Sequence, residues 1–211
     1  MTSRSLTLAR RRRILRAVKP AHAIPVKLSA GRYLELARCG ILSPDDHIEL
    51  LDGMVVATAA QTAWHAGTVA LVQRVLQERL GFDVLVRTQS SFVAGPRSVP
   101  EPDIAVVPGR AGDYFAKHPS TALLVVEVAH TTLAPDRLTK AALYAKARVP
   151  CYWIVNLRDH CVEEYREPDD RRGTYRRIRA ATGPDQLAID AFPGVTFRAD
   201  ELLPPADVEH D

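Results

Sequence analysis

The run Ala122-Leu123-Leu124-Val125-Val126-Glu127-Val128-Ala129 constrains the fold more than any other stretch of the chain. Continuous apolar character over this length predicts a strand covered on both faces. Glu127 breaks the pattern. An unpaired buried charge costs several kcal/mol even after relaxation, and acids are almost never fully buried unless paired or bound to a metal. Glu127 is therefore either neutralised by a partner inside the fold or aimed at a site.

A second acid stands close by in the sequence. Pro100-Glu101-Pro102-Asp103 leads into the β-branched segment Ile104-Ala105-Val106-Val107, which puts Asp103 at the mouth of a short strand. The connection from Pro108 to Thr121 is long enough to let this strand pair with that of Glu127. Alternation turns Glu101 away from the side of Asp103. Two acids on neighbouring strands suit a hard divalent cation, which takes a few carboxylate oxygens and fills its other positions with water and phosphate. The ordinary alternatives are an ion pair for Glu127 and a turn cap for Asp103.

Past Thr131-Thr132-Leu133-Ala134, Pro135 opens a predicted helix over residues 135–147, since proline suits the first helical position. Asp136, Lys140 and Tyr144 recur every four residues and share one face. Leu138, Ala141, Ala142 and Ala145 form a separate apolar surface. This start places Lys140 near the end of the Glu127 strand, where a cation would stabilise charge developing on a phosphate. The bland reading of Lys140, as of Lys146, is a solvated helix lysine.

Asp103, Glu127 and a lysine resemble the catalytic set of the PD-(D/E)XK nuclease superfamily. The chain is more closely similar to the bacterial Uma-two family of restriction-endonuclease-like proteins. The resemblance runs over residues 29–203. It rests on Ile48-Glu49-Leu50-Leu51-Asp52-Gly53, on His65 early in a helix, and on Glu101 to Val107. It continues through Leu124 to Ala129, Asp136 to Lys140, and Val149-Pro150-Cys151-Tyr152-Trp153-Ile154-Val155. It implies a metal-dependent phosphodiesterase site in which Asp103 and Glu127 hold the metal. The superfamily's usual lysine position, two residues after the glutamate, is Ala129 here, so Lys140 supplies the cation from the helix. Glu49 matches an acid that joins such sites from an earlier element; by alternation it faces either the cleft or water. His130 departs from the small polar or acidic residue of relatives.

The 211 residues suit one domain with a sizeable core. No apolar run is long enough for a membrane span, and the N-terminus lacks a signal-peptide core. Cys39, Cys151 and Cys161 show no metal-ligand spacing, and a reducing cytoplasm is the expectation. The net charge of +3 is unevenly spread. Residues 1–28 carry eight basic side chains and no acid, which leaves the body at a net −5. The segment is either a basic arm that contacts phosphates or a solvated tail. Residues 204–211 form a polar tail.

The remaining patterns complete an α/β reading. Ser29 caps a helix through Ala37, stopped by Gly40, and Asp52-Gly53 joins a hairpin of residues 46–51 and 54–58. Residues 62–80 form the longest helix, with Val69, Val72, Val75, Leu76 and Leu80 inward and His65 in register with them. Strands follow over 84–92, 151–156, 161–166, 174–180 and 194–197. The expected architecture is a restriction-endonuclease-like mixed sheet flanked by helices. Gln89 adds a polar group near the site, Trp153 is read as core and Tyr152 as rim. The function implied is a Mg²⁺-dependent endonuclease, with Mn²⁺ as substitute, acting on DNA and open to homodimer formation. The alternatives are an inactive nucleic-acid-binding or scaffold descendant of the fold, and a hydrolase of small phosphoesters.

Overall fold

A computed structural model describes residues 26–58 and 60–205. The predicted basic arm, residues 26–28 apart, and nearly all of the polar tail lie outside these residues. The first described helix, α1 (Ala30–Arg38), begins where Ser29 Oγ accepts from the Arg32 amide. A short hairpin follows, β1 (Ile48–Leu51) and β2 (Met54–Ala57). Asp52 and Gly53 turn it with φ values of 45° and 81°. Both central residues are left-handed, as the tightest right-twisted hairpins require. Asp46, expected to begin the first strand, instead closes a 3₁₀ turn over Pro44–Asp46, because Ser43 and Asp46 cap each other.

Helix α2 (Ala63–Leu80) is capped by Thr62 and closed by Gly81. Its stripe of Val69, Val72, Val75, Leu76 and Leu80 is buried as the periodicity predicts. Then come β3 (Val84–Thr88), β4 (Ile104–Pro108) and β5 (Leu124–Ala129). β3 is shorter than expected. Gln89 takes a left-handed φ of 45° and its amide turns to the carbonyls of Pro102 and Asp103.

The helical segment after β5 differs from expectation in its start and its form. It opens at Leu133 as α3 (Leu133–Pro135), widens into a π turn over Asp136–Lys140, and closes as α4 (Ala141–Lys146). Leu138 is 73% exposed and stands outside the apolar surface formed by Ala141 and Ala145. A π turn spends an extra residue in one turn, is rare, and is frequent at functional sites.

β6 (Cys151–Asn156), β7 (Cys161–Asp169) and β8 (Thr174–Ala181) complete a six-stranded mixed sheet in the order β3-β4-β5-β6-β7-β8. β5 and β6 are parallel, joined by the crossover through α3 and α4; the other pairs are antiparallel. A small pair, β9 (Gln186–Ala188) and β10 (Thr196–Arg198), lies beyond it. The sequence pattern did not mark β9, whose three residues show too little alternation to register.

Alternation along β5 divides the core. Val126 and Val128 pack with α2, Trp153 and Phe197 on one face. Val125 and Ala129 pack with α4 and four tyrosines on the other. Tyr152 is fully buried at the centre of these rings, 5.1 Å from Tyr144 and 5.3 Å from Tyr165, so it is core and not rim. Each of the four hydroxyls finds an acceptor: Glu127 for Tyr144, the Asp136 carbonyl for Tyr152, Glu163 for Tyr165 and the Val149 carbonyl for Tyr175. Such pairing is what lets tyrosine replace phenylalanine in a core. Cys151 and Cys161 are buried free thiols.

The hairpin has one sharply tested position. A Cβ on Gly53 would meet the Lys27 Cβ at 2.7 Å and the Leu28 carbonyl oxygen at 3.1 Å, at a φ that already disfavours side chains. Gly53→Ala is expected to destabilise the fold by about 1–3 kcal/mol. Urea denaturation checks this, and an unchanged midpoint contradicts it.

Candidate active site

The site forms where the β4–β5 ladder ends. Ile104 pairs with Val126, so one step further sets Asp103 opposite Glu127. Side chains take over from the backbone here. The Val128 amide donates to Asp103 Oδ2 at 2.8 Å, and the Asp103 amide faces Glu127 Oε2 at 3.5 Å. Asp103 lies just outside β4 and caps the ladder with its carboxylate.

Lys140 reaches this point from the π turn. Its Nζ lies 3.1 Å from Glu127 Oε1 and 3.5 Å from Glu49 Oε1. Glu49 comes from β1, is buried, and its Oε1 also accepts from the Glu101 amide at 2.9 Å. The hairpin is therefore tied to the segment that carries Asp103. Tyr144, one turn along from Lys140, donates to Glu127 Oε1 at 2.6 Å. Asp136 is buried on the same helix face. From the opposite face of the sheet, His65 Nε2 lies 3.1 Å from Asp103 Oδ2. Lys146 is exposed and takes no part. Gln89 is exposed, and only its backbone amide touches the Asp103 segment. Glu101 is exposed and accepts from Ser91 Oγ.

The donors are distributed unevenly over the two carboxylates. Asp103 Oδ2 receives both Val128 N and His65, and Glu127 Oε1 receives both Tyr144 and Lys140. Among the described residues, Glu127 Oε2 has only the long contact with the Asp103 amide, and Asp103 Oδ1 accepts no hydrogen bond. Each acid is thus locked through one oxygen and open through the other.

The charges do not balance. Glu49, Asp103, Glu127 and Asp136 are buried against one lysine and one histidine. Burial raises Glu127 most, Lys140 opposes it, and Asp103, Asp136 and Glu49 add to it, leaving the carboxyl at about 8. Asp136 is raised chiefly by burial, against the pull of Lys140. Burial alone would lower Lys140, but Glu127, Glu49, Asp136 and Asp103 hold it firmly protonated. Burial also works against the charged His65 ring, yet the bond to Asp103 and its charge raise it above the ordinary histidine value. Among the described residues no group of three or more His, Cys, Asp or Glu side chains converges as a ligand cage.

A family model described as "Putative restriction endonuclease", Uma2, matches residues 31–202. The chain belongs to the Uma2 family. Its fold is that of a solved structure from Anabaena variabilis ATCC 29413, described as a "putative nuclease belonging to DUF820". The two share 14% identity and a TM-score of 0.66 over 84% of this chain and 97% of that one. No curated protein matches the sequence. The Uma2 match and the mixed six-stranded sheet agree with the resemblance read from the sequence.

The four residues singled out from sequence, Glu49, Asp103, Glu127 and Lys140, meet at the end of the β4–β5 ladder. Tyr144 and Asp136 carried no role in that reading. Their four-residue spacing with Lys140 was the available signal, and what it lacked was the partner across the sheet.

The raised Glu127 carboxyl has a signed consequence for the metal-free protein. Its folded value of about 8 exceeds its ordinary 4.5, so folding favours the protonated form. This contribution to stability is full below about pH 4.5 and is lost as pH rises through about 8. One proton sets a limiting slope of about 1.4 kcal/mol per pH unit. In chelator, wild type is expected to lose stability across this window while Glu127→Gln shows a flatter profile. Parallel profiles in urea titrations contradict the assignment.

Proposed function

We propose that this chain is a divalent-metal-dependent endonuclease that hydrolyses phosphodiester bonds in nucleic acid, DNA being the favoured substrate. The observation that carries this reading is the pair of buried carboxylates, each locked through one oxygen and open through the other, beside a charged lysine. The donor set fits a hard cation: carboxylate oxygens and excess negative charge, with water and phosphate as the ligands that would complete the shell.

Asp103 and Glu127 would hold the metal. Mg²⁺, with Mn²⁺ as a substitute, supplies Lewis-acid polarisation of the scissile phosphate and a more acidic attacking water. Lys140 holds a positive charge at the Glu127 oxygen, where it orients the water or stabilises charge growing on the phosphate. Glu49, on the far side of the same ammonium, assists the metal or takes up a proton. His65 keeps Asp103 oriented through Oδ2, as histidines and carboxylates do around metal ligands. Hydrolysis breaks the bond from phosphorus to the 3′ oxygen and leaves a 3′-hydroxyl. A homodimer would let both strands be cut. Three free thiols fit a cytoplasmic setting, and among the described residues no helix is long and apolar enough to cross a membrane.

Purified protein is expected to nick plasmid DNA with Mg²⁺ or Mn²⁺ and to stop with chelator. Asp103→Asn, Glu127→Gln and Lys140→Met are each expected to lower the rate by roughly 100-fold or more. Agarose gels and labelled oligonucleotides, RNA included, provide the measurement. Metal binding without cleavage of any polymer points instead to a non-catalytic descendant of the fold. Turnover of small diesters alone points to a phosphoester hydrolase.

A further inference from the structure

Arg87 lies on β3 opposite Ala105 of β4, which places it diagonally from Asp103. Diagonal neighbours in an antiparallel pair stand about 7–8 Å apart on one face. Arg87, Ala105 and Val125 form one rung, and Asp103 and Glu127 belong to the next rung on the same face. The guanidinium is half-buried, yet no carboxylate pairs with it among the described residues. Its contacts are the Ser91 carbonyl at 3.4 Å and the Tyr114 ring at 5.9 Å.

A half-buried arginine without an acid is unusual, since burial disfavours its charge. That charge remains felt nearby. Burial and the Arg87 charge hold His118 below its ordinary value, with Glu101 opposing them. Glu101 itself accepts from Ser91 Oγ. The loop over Arg87, residues 109–121, carries Tyr114, anchored through its hydroxyl to the Pro108 carbonyl at 2.6 Å. It also carries Lys117 and Phe115, the latter 88% exposed.

From this placement we infer that Arg87 is the core of an anion subsite that takes a backbone phosphate of the substrate next to the one at Asp103 and Glu127, an inference resting on the nuclease reading. The guanidinium fork suits phosphate oxygens. Its charge offsets the repulsion that the ionised acids of the site exert on an approaching polyanion. Lys117, exposed on the same loop, adds positive charge nearby. The missing carboxylate partner is thereby explained: substrate supplies it.

Anisotropy titration of a labelled duplex of about 20 base pairs, with Mn²⁺ and a Lys140→Met background, which keeps both acids of the site and slows cutting, tests this. Adding Arg87→Met is expected to weaken binding about tenfold and to reduce the slope of log K against log salt by about 0.9, the value for one lost phosphate contact. Arg87→Lys should retain the slope with intermediate affinity. In the otherwise wild-type chain, Arg87→Met should leave Mn²⁺ affinity unchanged and the melting temperature equal or higher, because it removes an uncompensated charge. Unchanged duplex binding and slope in Arg87→Met overturn the subsite and leave the nuclease reading standing. A lower melting temperature with lost Mn²⁺ affinity assigns Arg87 to structure and also overturns it. No duplex binding by any form, with no cleavage by the wild type, overturns both readings.

Discussion

The Glu127 carboxylate, buried in the central strand of a mixed sheet, is the constraint around which the rest of this molecule is arranged. A carboxyl in that position must be met from inside the fold, by hydrogen bonds, a cation or a retained proton. It is met by Tyr144 and Lys140 through one oxygen, and both donors come from the crossover helix that joins β5 to β6. The parallel pairing of these strands requires such a crossover. The same connection that closes the sheet therefore delivers the groups that hold its buried acid. The π turn sits where Asp136 and Lys140 must both face inward.

Asp103 depends on a different device. β4 ends one residue short of full pairing, and the aspartate side chain caps the ladder in place of a backbone carbonyl. Because it stands at the sheet end, it is reached by His65 from the α2 face while Glu127 points to the α4 face. Glu49 arrives on a separate hairpin and is bound to the Asp103 segment through the Glu101 amide. Three elements remote in sequence thus converge, and the negative charge they bring exceeds what one lysine balances. That excess is poor for stability and would suit the cation proposed for the site, a trade common where function sets local geometry.

Much of this was legible in the chain. Glu127 stood out because strand chemistry excludes it, and Asp103 because Pro102 fixes its approach to a β-branched run. The Asp52-Gly53 turn, the Ser29 and Thr62 caps and the α2 stripe read directly, since each rests on local backbone or periodic rules. The misses arose where tertiary contacts override local pattern. The early start at Leu133 and the π turn are invisible to a search for period 3.6, and Leu138 was placed inward by that period although it faces solvent. Tyr152 joined the core because its hydroxyl meets the Asp136 carbonyl, a pairing across the fold that no local pattern carries. The burial of Glu49 depended likewise on Lys140, which lies ninety-one positions further on.

Calorimetric titration with Mn²⁺ at about pH 7, in two buffers of different ionisation enthalpy, tests the central claim most directly. Cation binding to a site whose buried carboxyl holds its proton to about 8 must displace that proton. Wild type should bind with release of close to one proton, Asp103→Ala and Glu127→Gln should lose affinity, and Lys140→Met should still bind. Binding with no proton release, or binding that survives loss of both acids, would contradict the account.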